Sequence, residues 1–178
     1  MKKFLLLVIM IIMAISCLAV EVARWTAQPI NVYIPEYGNK SVLMQQAFNS
    51  WQNKSGNLVR FKFVSRPSNA DIEVKFVDFV TNCNSDNSVG CTHLYTRNGE
   101  FKKAYITIGT KEYQYKGQSK QIVSRSKEHI YGVMLHEVGH AIGLEHSDSS
   151  GSIMYPYDLD SMQYLTKRDM KLLYNKYH

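Results

Sequence analysis

The stretch HEVGHAIGLEHS, residues 136–147, decides how this chain is read: it sets three histidines four and six residues apart around a single glycine. On a helix, side chains four residues apart lie one above the other, so His136 and His140 present two imidazoles that one ion can bridge. Glu137 lies one residue along and cannot join that pair, but it can lean over the ion's open side and act as a base. Gly143 accounts for the unequal spacing, since glycine tolerates the left-handed conformation that ends a helix and turns the backbone sharply. His146 can then return as a third ligand. Three neutral nitrogen ligands with one open position describe a catalytic zinc site and not a closed structural one.

Chance is a weak competitor. A lone histidine is more often structural, but average residue usage yields HExxHxxGxxH by accident in about one in a hundred thousand chains of this size.

Outward from this motif, the period is helical from about Lys127, with Ile130, Val133, Met134, Val138 and Ala141 on one face up to Gly143. Nearer the N-terminus, INVYIP (30–35) reads as a strand stopped by proline. SVLMQQAFNSWQNKSG (41–56) follows as a helix with Met44, Ala47, Phe48 and Trp51 inward and Gly56 as its stop. LVRFKFV (58–64) and DIEVKFVDF (71–79) alternate as half-buried strands, AYITIG (104–109) is a further strand, and CTHLY (91–95) is a weaker candidate. Residues 110–126 read as polar linker. LTKRDMKLLYNKYH (165–178) is a closing helix, with Thr166 and Asp169 in a capping arrangement. Strands mostly precede helices, which implies an α+β fold with one mixed sheet.

The chain has 178 residues, room for one domain and a targeting segment. Lys2 and Lys3, an apolar run from Phe4 to Ile15 and then small residues form the pattern of a signal peptide, with the run too short for a membrane span. Residues 1–19 are therefore expected to be the signal and 20–178 the catalytic domain. AISC (14–17) also resembles a lipobox, which would leave Cys17 lipidated, and an uncleaved anchor is the third possibility. The expected location is secreted, extracellular or periplasmic, with membrane contact only through that N-terminus.

Net charge is +6; without residues 1–19, which carry two lysines and no acidic residue, it is +4. With no basic run interleaved with aromatics, the excess argues against a nucleic-acid partner. Cys83 and Cys91 bracket a polar, turn-rich segment, and in an exported protein such a pair is expected to close a disulfide.

The zinc motif resembles that of the metzincin metalloproteases, and SIMYP (152–156) looks like their Met-turn, with Met154 as its methionine. Ser147 after the third histidine, together with Met-Tyr-Pro in the turn, is similar to the matrixins. RWTAQPINVYIP, AFNSWQ, ADIEVKF and LTKRDMKLLY follow the order of that family's catalytic domain. The resemblance implies a zincin-like domain, in which a twisted mixed sheet packs on the active-site helix and a small C-terminal subdomain ends in a helix. It also implies a monomeric endopeptidase acting on proteins or peptides. Met154 would form an apolar floor beneath one catalytic zinc, and Pro156 and Tyr157 would help wall the pocket for the side chain after the cut. Glu137 would take a proton from the attacking water and pass it to the leaving amine.

Of the family's structural zinc ligands only His93 has a counterpart, and it reads as an ordinary residue. No calcium site carries over, and Asp148, Asp158 and Asp160 read as solvated loop carboxylates. No cysteine-switch propeptide is recognisable. A peptide is expected to add to a sheet edge near CTHLYT or AYITIG. The competing classes are a silent binding module of the same fold and a zinc hydrolase acting on bonds other than peptide bonds. The retained glutamate and ligands favour a protease over the first of these.

Overall fold

Parallel pairing between neighbouring strands requires a long crossover, and the first of these is a helix. Strand β1 (Ile30–Tyr33) leads into α1 (Asn39–Lys54), which returns the chain to β2 (Phe61–Phe63), parallel to β1. The structure is a computed structural model and describes residues 23–81, 83, 88–157 and 164–178. The signal segment, Cys17, Asp158 and Asp160 lie outside the described residues.

A short 3-10 turn precedes β3 (Ile72–Val77), and β4 (Gly90–Arg97) and β5 (Glu100–Gly109) complete a five-stranded sheet of order β2-β1-β3-β5-β4. All pairings are parallel except β4 with β5. Asn98 and Gly99, both with positive φ (54° and 71°), make the two-residue turn between β4 and β5, the conformation that suits a tight antiparallel hairpin. Because β5 is paired on both sides, AYITIG offers no edge to a peptide, and only CTHLYT, in β4, lies on a free edge. That removes one of the two docking positions expected from sequence.

Helix α2 (Lys127–Ala141) lies against β4 and β5, and α1 packs on α2. Leu43, Met44, Ala47, Phe48 and Trp51 are the buried face of α1, matching the sequence periodicity. Two indoles tie the layers together: Trp51 Nε1 donates to Leu135 O at 2.9 Å and Trp25 Nε1 to Ala141 O at 2.8 Å. Each satisfies a polar atom that would otherwise be costly to bury. Helix α3 (Lys167–Tyr177) opens with the expected capping box between Thr166 and Asp169.

Two expectations need correction. Residues 110–126 are not a linker: Lys111–Lys116 (β6) and Ser119–Ser124 (β7) pair as an antiparallel hairpin in a separate two-stranded sheet, turning at Gly117 (φ 61°). Nearly every side chain on it is solvent-exposed or half-exposed, so no apolar alternation marks the strands. The hairpin is held by Tyr113 stacked on Phe79 (4.8 Å) and by ion pairs Lys111–Asp78 and Arg125–Glu112. The strand expected over 58–64 shrinks to Phe61–Phe63, and side chains take up backbone groups ahead of it and at its first residue. Gln28 Oε1 accepts from Arg60 N at 2.7 Å, Gln52 Oε1 from Phe61 N at 2.8 Å, and Gln28 Nε2 donates to Leu58 O.

Cys83 and Cys91 form a disulfide across an eight-residue separation, with Cα atoms 6.0 Å apart. Closing a loop of this size stabilises by roughly 2–3 kcal/mol through the unfolded chain. Replacing both cysteines with serine is expected to lower the melting temperature by about 5–10 °C. An unchanged thermal transition would show that the bond does not stabilise the fold.

Candidate metal centre

Helix α2 begins at Ser126, whose side chain accepts from His129 N, and runs buried from Val133 to Gly139. His136 and His140 lie one turn apart on it, with ring centroids 4.6 Å apart. The helix stops at Ile142, and Gly143 takes φ 93°. A Cβ at Gly143 would sit 2.6 Å from a ring carbon of Phe101, so both the conformation and the packing there require glycine. Past this bend His146 comes back to the pair, 4.8 Å from His140 and 5.3 Å from His136 between ring centroids.

The three histidines offer ligand nitrogens all within 4.8 Å of one another, and they are the only grouping of this kind among the described residues. Two backbone carbonyls set the tautomers: His136 Nδ1 is 2.7 Å from Ile153 O and His140 Nδ1 is 2.8 Å from Leu144 O. A carbonyl only accepts, so each Nδ1 carries the proton and each Nε2 presents a lone pair. Those two Nε2 atoms face each other at 3.0 Å. Two lone pairs at that distance repel unless a cation lies between them. Burial, followed by the neighbouring His140, pushes the His136 pKa down to about 3, and burial also lowers that of His140. Both rings are therefore neutral, the form in which imidazole binds metal. The residues fit zinc, which takes nitrogen ligands at about 2.1 Å, by the chemistry of three clustered imidazoles.

Glu137 is buried, and burial raises its pKa to about 7 against an opposing hydrogen bond from Thr92. That bond, Thr92 Oγ1 to Glu137 Oε2, is 2.6 Å long. Gly90, on the same strand, leaves room for the carboxylate: a Cβ there would lie 2.5 Å from Oε1. Met154 is fully buried with its sulfur against Gly139, in the helical turn that carries the two ligands. Its carbonyl accepts from Ser147 N at 2.8 Å, closing the loop after His146.

Asp169 fastens this loop from beneath. Its Oδ1 accepts from Ser152 Oγ and, at 3.1 Å, from Ile153 N, while Oδ2 accepts from Thr166 N and Oγ1 at 2.7 Å each. One buried carboxylate thus caps α3 and holds the peptide whose carbonyl orients His136. Sequence reasoning found the cap and missed the second role, as it missed Thr92, Gly90 and Ser152.

Pro156 is half-buried, and Tyr157 is 69% exposed with its ring against Tyr155. His93 is exposed, its Nε2 3.4 Å from Cys91 Sγ.

Three imidazoles from a helix and the loop after it, with the buried Glu137 on the same helix and β4 at one edge of the mixed sheet, make a candidate hydrolytic metal centre. The family model described as Matrixin matches residues 25–178, and this chain belongs to that family. A "Putative matrix metalloproteinase" of Trichoplusia ni ascovirus 2c is 41% identical over 63 residues, covering 28% of this chain and 13% of the viral protein. A "Hatching enzyme" of Paracentrotus lividus is 27% identical over 114 residues, covering 64% of this chain and 18% of the relative. The chain spans less than a fifth of either relative's length. Family and histidine cluster together place a candidate zinc site in a matrixin domain.

Proposed function

We propose that this protein is an exported zinc endopeptidase that cuts protein or peptide chains with Glu137 as general base. The observation that carries this reading is the pair of neutral imidazoles, His136 and His140, whose Nε2 lone pairs converge 3.0 Å apart on the helix that also carries the buried Glu137. His136, His140 and His146 would hold the ion. When bound, zinc supplies Lewis acidity, acidifying a water and polarising the scissile carbonyl.

The rest is done by the chain itself. Carbonyls of Ile153 and Leu144 keep the two helical imidazoles turned toward the ion. Glu137 takes a proton from the attacking water at a carboxylate oxygen and returns it to the departing amine nitrogen. The substrate lies extended along β4, exchanging main-chain hydrogen bonds with the free edge of the sheet. Pro156 and Tyr157 wall the pocket for the residue after the cut, and Met154 floors the metal site. Residues 1–19 direct export, with Cys17 a candidate lipid-attachment site.

Purified protein is expected to cleave casein, to lose that activity to a chelator and to regain it when zinc is added. Zinc binding without cleavage of any peptide in a proteome-derived library would leave a binding module; hydrolysis of small esters alone would point to a different hydrolase.

A further inference from the structure

We infer that Thr92 is a positioning residue for Glu137, holding the carboxylate in the one orientation that proton transfer requires. This rests on the reading of Glu137 as the base. A glutamate side chain has three freely rotating bonds, and confining it costs roughly 1.5–2 kcal/mol of rotamer entropy unless something fixes it. Two contacts do so here. Thr92 Oγ1 is 2.6 Å from Glu137 Oε2 and 3.1 Å from Glu137's own backbone oxygen, so one hydroxyl spans the head and the root of the side chain. Gly90 meets the other oxygen: Oε1 lies where a Cβ on Gly90 would be 2.5 Å away. Thr92 therefore engages Oε2 while Oε1 packs over Gly90, so both carboxylate oxygens are fixed by β4.

The strand itself is held still from its opposite face. Side chains alternate along a strand, so Gly90 and Thr92 face α2 while Cys91 between them points away, into the disulfide with Cys83. Nothing in the zinc motif encodes this arrangement. It is a second element, 45 residues upstream, that completes the base.

The test compares Thr92→Val, which keeps the branched shape and loses the hydroxyl, with Thr92→Ser, which keeps the hydroxyl. Misplacing a reacting group lowers the chemical step more than binding, so Thr92→Val is expected to lower kcat about tenfold or more with KM within about twofold. Zinc content measured by elemental analysis should stay at the wild-type level, and Thr92→Ser should restore most of the turnover. A crystal structure of zinc-loaded Thr92→Val is expected to show the Glu137 carboxylate displaced.

A kcat for Thr92→Val within about twofold of wild type, with Glu137→Ala inactive, overturns the inference, as does an unmoved carboxylate. Turnover retained by Glu137→Ala would instead overturn the assignment of the base itself. Should the valine variant not fold, Thr92→Ala against Thr92→Ser makes the same comparison, and equal kcat values overturn the proposal.

Discussion

With Glu137 as the proposed base, Glu137→Ala and Glu137→Gln are each expected to lower peptide hydrolysis about a hundred- to ten-thousand-fold while zinc stays bound. The nitrogens that could hold the ion belong to His136, His140 and His146, and the Glu137 carboxylate is not one of that group. Stability should not suffer in Glu137→Gln. Burial raises the Glu137 pKa to about 7, so the fold disfavours the ionised form, and replacing it with a neutral amide of the same shape removes that penalty. Turnover, zinc stoichiometry and melting temperature measured on the same preparations separate a lost base from a lost fold. Peptidase activity persisting in both variants would remove Glu137 from the mechanism.

The second large effect is expected at a residue that touches no ligand. Asp169→Ala leaves the donors of Ser152, Ile153 and Thr166 without their acceptor in a site where Asp169 is 0% exposed. Each buried donor left unmatched costs about 1–3 kcal/mol, so a total of roughly 3–5 kcal/mol is expected. For a domain of this size that lowers the melting temperature on the order of 10 °C. The loss extends to the metal: without Asp169 the Ile153 carbonyl no longer has a fixed position for His136 Nδ1, and zinc affinity should fall about 10–100-fold. Asp169→Asn, which keeps one carbonyl oxygen, should lose less of both. Thermal unfolding together with a competitive zinc titration reads the two effects, and an Asp169→Ala protein that melts and binds zinc like the parent would contradict them.

What could be read from sequence follows from how much of each element is buried on one side only. Met44, Phe48 and Trp51 repeat with helical period because α1 has one inner face, and HExxHxxGxxH is legible because helix geometry alone brings His136 to His140. The Thr166–Asp169 cap is local chemistry within four residues and was equally plain. The β6–β7 hairpin was invisible for the opposite reason, since strands wet on both faces carry no pattern of burial. Its Tyr113 and Tyr115 at alternate positions resemble a polar stretch with incidental aromatics. Asn98-Gly99 was a turn signal between β4 and β5 that the weaker pattern of CTHLY concealed. Thr92 and Gly90 could not be found at all without tertiary structure, because nothing in their neighbourhood states that Glu137 will lie against them.

Ile153 meets Asp169 through its N–H and His136 through its C=O, so both links run along the main chain. The setting of the first imidazole is thereby insulated from whatever side chain occupies position 153, provided it is apolar enough to stay inside. Substitutions there can accumulate without disturbing the tautomer, whereas a change sixteen residues further on, at Asp169, reaches the ion at once. A census of tolerated variants across this loop would therefore underrate 153 and flag 169, although the former supplies the atom and the latter only steadies it.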